Sequence, residues 1–219
     1  MVRPRAAIEA LANRLESRAG RVHTLTTPLV LIVAVVAVAT YGLSRRMEAG
    51  HLTATVIFTL YLVGGANFVI LPLTYDPKLA GEVGPIPIER LIELTPFFFP
   101  GGDSLSSEQL FLNVVLTVPF GFGLPFVIRL PGRSVLLVGL LVSLGIELAQ
   151  LAADALYLAL PPWSIDINDV FLNSLGVAVG YGAFRVLSAV YAKSVGRVSV
   201  RGTPWRHFHE TLAEAGKRR

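Results

Sequence analysis

The apolar residues of this chain are gathered into long uninterrupted runs rather than into short alternating segments. A membrane-spanning helix needs about 20 mostly apolar residues, within a range of roughly 17 to 25. Five runs meet this requirement, at residues 27–44, 52–73, 110–128, 134–153 and 170–192. The first three hold no charged residue, and the last two hold one each, Glu147 and Arg185. The pattern predicts an all-α fold, a polytopic transmembrane helix bundle of about five spans.

The segments outside these runs carry signals of their own. Residues 1–26 are rich in arginine and have apolar residues at helical spacing, which is typical of an amphipathic helix on a membrane surface. Residues 74–109 form a long apolar connection, and its stretch PIPIERLIELTPFFFPGG predicts an interfacial helix in a long external loop. Residues 193–219 form a basic tail with seven Lys and Arg, in which we expect His207 and His209 to be solvated rather than bound to a metal.

Composition and charge support a membrane protein. Hydrophobic residues make up 53% of the chain and charged residues 16%, against about 25% charged residues in soluble proteins. The net charge of +4 comes from basic residues beside the apolar runs, where they act as topology signals rather than as a nucleic-acid surface. We therefore expect a multipass protein of the cell membrane with a cytosolic C-terminus. The side of the membrane on which the N-terminus lies depends on whether residues 27–44 cross the bilayer.

The cysteine count narrows the possible chemistry. The chain has no cysteine, which excludes disulfides, thiolate nucleophiles and metal sites with Cys ligands. We expect neither a cofactor nor a bound metal.

Polar residues of the predicted core helices fall at similar depths. With a helix rise of 1.5 Å per residue, Asn67, Asn113, Glu147 and Asn173 lie roughly 5 to 12 Å below the outer ends of their helices. Glu147 and Gln150 share one helical stripe, and Asp166, Asp169 and Asn173 share another. Such groups are costly against lipid and should face the bundle interior. The candidate ligand-binding residues are Asn113, Glu147, Gln150, Asp166, Asp169 and Asn173.

Structural explanations compete with binding at several of these positions. Asp166 and Asp169 have the spacing of an N-terminal helix cap, and Asn113 and Asn173 can hydrogen-bond between helices. Neither explanation applies to Glu147, because it lies within a helix and no Lys, Arg or His lies at a matching depth in the other core helices. We therefore expect its carboxyl group to be neutral or paired. Pro119 and Pro125 with their neighbouring glycines predict a kinked or partly unwound third helix.

Three sequence blocks stand out within residues 52–192, NVVLTVPFGFGLP, SLGIELAQL and SIDINDVFLNSLGVAVGY, beginning at Asn113, Ser143 and Ser164. In this order they resemble the VanZ-like family of multipass membrane proteins. The resemblance implies a VanZ-like transmembrane core over 52–192. It also implies an association with low-level resistance to the glycopeptide teicoplanin, which the family's founding member has.

These observations leave several functions open. The leading one is a non-enzymatic protein of the cell envelope, whose polar outer-leaflet cavity binds a membrane lipid or lipid-linked envelope component. The alternatives are a membrane enzyme that acts on a lipid phosphate through Glu147, Asp166 and Asp169, and a proton-coupled transporter with Glu147 as its titrating group. A scaffold in which every polar residue serves helix packing is a fourth possibility. The oligomeric state stays open.

Overall fold

A computed structural model describes residues 30–69, 92–93, 104–155, 165–195 and 205–217, with side chains at all of these except 93, 104–110, 154–155 and 165. The described residues form six helices and one short strand pair. The helices are α1 (Val30–Ser44), α2 (Ala49–Val69), α3 (Ser104–Val127), α4 (Gly132–Ala155), α5 (Ile167–Ser194) and α6 (Arg206–Lys217). The strands β1 (Ile92–Glu93) and β2 (Ile165–Asp166) pair in parallel, with Ile92 opposite Ile165.

Three described helices, α2, α4 and α5, are long and apolar enough to cross a membrane. The apolar part of α3, Phe111–Val127, and helix α1 are shorter. Large apolar side chains point outward along these helices, as shown by Phe68, Leu148 and Val186, which are 79%, 62% and 66% exposed. Apolar surface of this extent is unfavourable in water and suits contact with lipid. The helices agree with the predicted runs, since their ends lie within a few residues of those expected.

Helix α5 is central, because it packs against α3, α4 and α6. Glycines allow α5 and α3 to lie close together. A Cβ atom at Gly176 or Gly180 would overlap the backbone carbonyl of Val114 or Val118, and one at Gly121 would overlap that of Val177. Small residues let membrane helices approach in this way. Below this contact, Phe58, Phe120, Leu124, Val135 and Val177 form the apolar core.

Helix α3 stays helical through both of its prolines, Pro119 and Pro125. The structure thus shows no partial unwinding of this segment, whereas the kink expected as the alternative stays a prediction. The glycines between the prolines serve packing instead, because Gly121 faces α5 and Gly123 faces the ring of Phe58.

The prediction of an interfacial helix over residues 85–102 is wrong at Ile92 and Glu93. These two residues are extended and pair with Ile165 and Asp166, so their backbone hydrogen bonds go to another segment rather than along a helix. The rest of that predicted helix, and the amphipathic helix expected within residues 1–26, lie outside the described residues.

The C-terminal segment is more than a solvated tail, because α6 folds back onto the bundle and contacts α2, α3 and α5. Its buried residues are His207, Thr211, Leu212 and Ala213. The close approach depends on Gly216, where a Cβ atom would overlap the carbonyl of Ser188 in α5. The expectation that His207 is solvated is wrong, since its side chain is 6% exposed.

Candidate ligand-binding site

The predicted polar residues lie where α2 and α4 end and α3 and α5 begin, which we call the polar end of the bundle. Here the side-chain amide of Asn113 in α3 donates a hydrogen bond to the carboxylate of Asp169 in α5. Thr117, one turn further along α3, donates to the carbonyl of Asn113 at 2.9 Å. Two residues 56 positions apart in sequence thus join the helices directly.

Glu147 points into the bundle, with only 3% of its surface exposed. Its Oε2 accepts a hydrogen bond of 3.2 Å from the backbone N–H of Asp166, the residue that caps α5. The carboxylate of Asp166 in turn accepts from the backbone N–H and the side-chain amide of Asn168, each at 2.8 Å. The N-cap proposed from sequence is present, and the same residue also contacts the buried acid.

The remaining two candidates complete this set from α4 and α5. The amide of Gln150 donates to the backbone carbonyl of Val69 at 3.1 Å, which ties α4 to the end of α2. Asn173 is buried on α5, with 6% of its surface exposed, one turn below Asp169. We call these six residues the polar cluster: Asn113, Glu147, Gln150, Asp166, Asp169 and Asn173.

The polar cluster is rich in carboxyl groups. The carboxyl groups of Glu147, Asp166 and Asp169 are close enough for their charges to repel one another. The Lys and Arg residues within the described ranges lie toward the opposite end of the bundle, at Arg45, Arg46, Arg129, Arg133, Arg185, Lys193, Arg206 and Lys217. The cluster is therefore rich in hydrogen-bond acceptors, and no described guanidinium or ammonium group neutralises it.

An apolar cavity of about 200 Å³ lies next to the polar cluster, between α2, α3, α4 and α5. Its walls include Thr117, one turn from Asn113, and Ser143, one turn from Glu147. They also include Val69, whose carbonyl is bonded to Gln150. Most of the remaining wall is aliphatic or aromatic, so the cavity is an apolar chamber, and several of its wall residues lie within one helical turn of the polar cluster.

A family model described as VanZ/LLP1 matches residues 58–188 of the chain. The chain belongs to the VanZ/LLP1 family. No curated protein and no solved structure matches it. The matched range contains the whole polar cluster and the cavity beside it, whereas α1 and α6 lie outside.

This VanZ/LLP1 chain shows no metal centre within the part that the structure describes. There, no group of three or more His, Asp or Glu side chains is arranged to hold a metal ion. Glu147 and Asp166 meet through a backbone N–H rather than as two carboxylates facing one point.

A second polar group, which sequence reasoning missed, lies at the opposite end of the bundle, called here the basic end. The rings of His51 in α2 and His207 in α6 stack with centroids 4.7 Å apart. Their Nε2–H groups donate to successive carbonyls at the end of α3, His51 to Val127 at 2.9 Å and His207 to Phe126 at 2.7 Å. Such terminal carbonyls have no partner within their own helix.

An ion pair borders these histidines. Nε of Arg206 lies 3.0 Å from Oε1 of Glu48, and this hydrogen bond holds the pKa of Glu48 below its ordinary value. The contact joins α6 to the residue just before α2. The four-residue spacing of His207 and Thr211 is the sequence signal that this helix has a face packed on the bundle.

Proposed function

We propose that this protein is a non-enzymatic, multipass component of the cell envelope that binds a membrane lipid or a lipid-linked headgroup. The observation that carries the proposal is the apolar cavity of about 200 Å³ that lies within one helical turn of the polar cluster. Ligand sites are commonly apolar chambers with a few polar groups that fix orientation. A molecule with a polar head and a hydrocarbon chain is complementary to both parts of this site.

The composition of the cluster indicates the chemistry of the head. Carboxyl oxygens accept hydrogen bonds, so Glu147 and Asp169 favour a head that donates them, such as one with ammonium or hydroxyl groups. A bare phosphate would meet acidic groups here and no described base. We therefore propose a lipid whose head carries an amine or several hydroxyls, as in an aminoalcohol or sugar head.

The side of the membrane follows from the distribution of bases. Cytoplasmic segments carry an excess of Lys and Arg, so we place the basic end and the C-terminus in the cytosol, with five spans in the full bundle. The polar cluster then lies in the outer leaflet. A lipid held there is positioned to alter how a glycopeptide such as teicoplanin reaches the cell surface, in line with what the VanZ resemblance implies.

Lipid retention tests the proposal directly. The purified protein, wild type and Glu147→Gln/Asp169→Asn, would be incubated with phosphatidylethanolamine, phosphatidylcholine and a glycosyl diacylglycerol, and bound lipid counted by native mass spectrometry. We expect the wild type to retain the amine or sugar lipid over phosphatidylcholine, and the double variant to lose at least about tenfold in affinity, about 1.4 kcal/mol. The amides can still accept the bonds from Asn113 and from the backbone of Asp166, so the fold should persist.

Glu48→Gln is the matched control, because it also removes a carboxylate, but at the basic end. It should retain lipid as the wild type does. Equal retention by the wild type and the double variant would disprove the proposed site. In a bacterial host, the double variant at equal expression should shift teicoplanin susceptibility toward that of cells lacking the protein.

A further inference from the structure

A second cavity, of about 250 Å³, lies at the basic end between the turn that joins α3 and α4, helix α5 and helix α6. It is separate from the polar cluster, because Arg185 in its wall stands 16 residues along α5 from Asp169, roughly 24 Å away at the helix rise. Both polar and apolar residues line this cavity. The cavity therefore needs an explanation of its own.

Two arginines from different elements line this cavity, Arg129 from the turn and Arg185 from α5. The only acid among the lining residues that the structure describes is Glu214 of α6, which leaves the lining with a net positive charge. Arginine presents a planar fork of donors that matches phosphate oxygens in pairs. The hydroxyl group of Tyr181 adds a further hydrogen-bonding group.

The existing ion pairs of Arg129 are long. Its nitrogens lie 3.7 Å from a carboxylate oxygen of Glu210 and 3.6 Å from one of Glu214, beyond the roughly 2.7 to 2.9 Å of a charge-assisted hydrogen bond. All three side chains are about half exposed, so these contacts contribute little stability. An incoming phosphate can replace them at low cost.

The rest of the wall is apolar and includes Pro125, Leu130, Phe184 and Ala215. Such a wall suits the glycerol and first acyl carbons that follow a lipid phosphate, whereas a free phosphate ion would gain nothing from it. Drug-sized ligands occupy roughly 300 to 1,000 Å³, so this cavity fits a headgroup whose acyl chains remain in the bilayer. Basic pockets of this kind on the cytoplasmic side bind anionic headgroups.

We propose that this cavity binds the phosphate of an anionic phospholipid through Arg129 and Arg185. The bound lipid bridges α5 and the α3–α4 turn beside α6. This site differs in its residues and ligand from the one under Proposed function, and it shares with that proposal only the placement of the basic end in the cytosol.

The test measures thermal unfolding of the purified full chain in detergent, with phosphatidylglycerol, phosphatidylcholine or inorganic phosphate added. We expect phosphatidylglycerol alone to raise the unfolding temperature, and Arg129→Gln/Arg185→Gln to need at least tenfold more lipid for the same rise. Arg133→Gln, at the same end but outside the cavity, should behave as the wild type. If the double variant fails to fold, Arg185→Lys replaces it, with a several-fold loss, because lysine keeps the charge without the fork.

A variant that binds phosphatidylglycerol more tightly would distinguish lipid binding from a purely structural role of the arginines. Glu214→Gln removes the carboxylate that competes for Arg129, so it should lower the phosphatidylglycerol concentration required several-fold. Equal effects of phosphatidylglycerol and phosphatidylcholine, or an equal loss in Arg133→Gln, would overturn the proposal. Stabilisation by inorganic phosphate to the same extent would identify a phosphate-ion site and overturn the lipid assignment.

Discussion

His51 and His207 stack face to face at an interplanar angle of 12°, although 156 residues separate them. Each donates to a different terminal carbonyl of α3. Three helices are thereby joined at one point, and α6 is held to the bundle by buried polar contacts as well as by Leu212 and Ala213.

Removing this contact should release α6. His207→Ala leaves the carbonyl of Phe126 without its donor, a cost of about 1 to 3 kcal/mol. Because the chain has no cysteine, Ala213→Cys provides a single buried probe, and its maleimide labelling should accelerate about tenfold or more in His207→Ala. Trp205→Ala, which alters a 66% exposed residue, should leave labelling slow. Equal labelling in both would show that the histidine contact does not hold α6.

The docking of α6 should also depend on pH through Glu48. The folded-state pKa of this carboxyl lies below its ordinary value because Arg206 donates to it. The ion pair therefore contributes stability above the unfolded carboxyl's pKa of about 4.3, and that contribution is lost as the pH falls through the lowered folded value. The difference in unfolding temperature between the wild type and Glu48→Gln should be present at pH 6 and should shrink as the pH falls through the lowered folded-state pKa. A difference that does not shrink on acidification would exclude this ion pair as its cause.

The glycine contact between α3 and α5 allows a matched pair of substitutions. Gly180→Ala forces a methyl group against the carbonyl of Val118 and should lower the free energy of unfolding by about 1 to 3 kcal/mol. Gly182→Ala meets nothing within 4 Å and should change it by less than about 0.5 kcal/mol. Denaturant titration in detergent measures both, and similar values for the two variants would contradict the close helix approach.

Two substitutions at Asp169 separate the contribution of its hydrogen bond to stability from the contribution of its charge. Asp169→Asn keeps an oxygen that accepts the amide hydrogen of Asn113, whereas Asp169→Ala leaves that amide without this acceptor. We expect Asp169→Ala to lose about 0.6 to 2 kcal/mol of stability and Asp169→Asn to lose much less. If both variants lose the same stability, the charge rather than the hydrogen bond holds the two helices.

The membrane side proposed for the two ends can be checked by single-cysteine labelling in intact cells. A cysteine at Trp205 should react with a membrane-impermeant reagent only after lysis, since we place α6 in the cytosol. A cysteine at Pro161, in the segment before β2, should react without lysis. Reversal of these two results would move the polar cluster to the inner leaflet and remove the link to glycopeptides.

Sequence patterns predicted the helical runs well because the membrane imposes their length and apolar character. They also placed Asn113 and Asp169 near the same end, since antiparallel helices with a fixed rise bring matching depths together. The partner of Glu147 was not predictable in detail, because a backbone N–H leaves no trace in residue identity. The stack of His51 on His207 was not predictable either, because it joins helices far apart in the chain through contacts that leave no periodic pattern in the sequence.

The two-residue pairing of β1 with β2 links another segment of the chain to Glu147 of the polar cluster. Asp166 sits opposite Glu93 in this pairing and donates its N–H to Glu147. One peptide unit thus couples residues 92–93 to the buried carboxyl. Displacement of either partner is transmitted to the other, so a spectroscopic label near Ile92 would report rearrangement around Glu147 without touching the cavity itself.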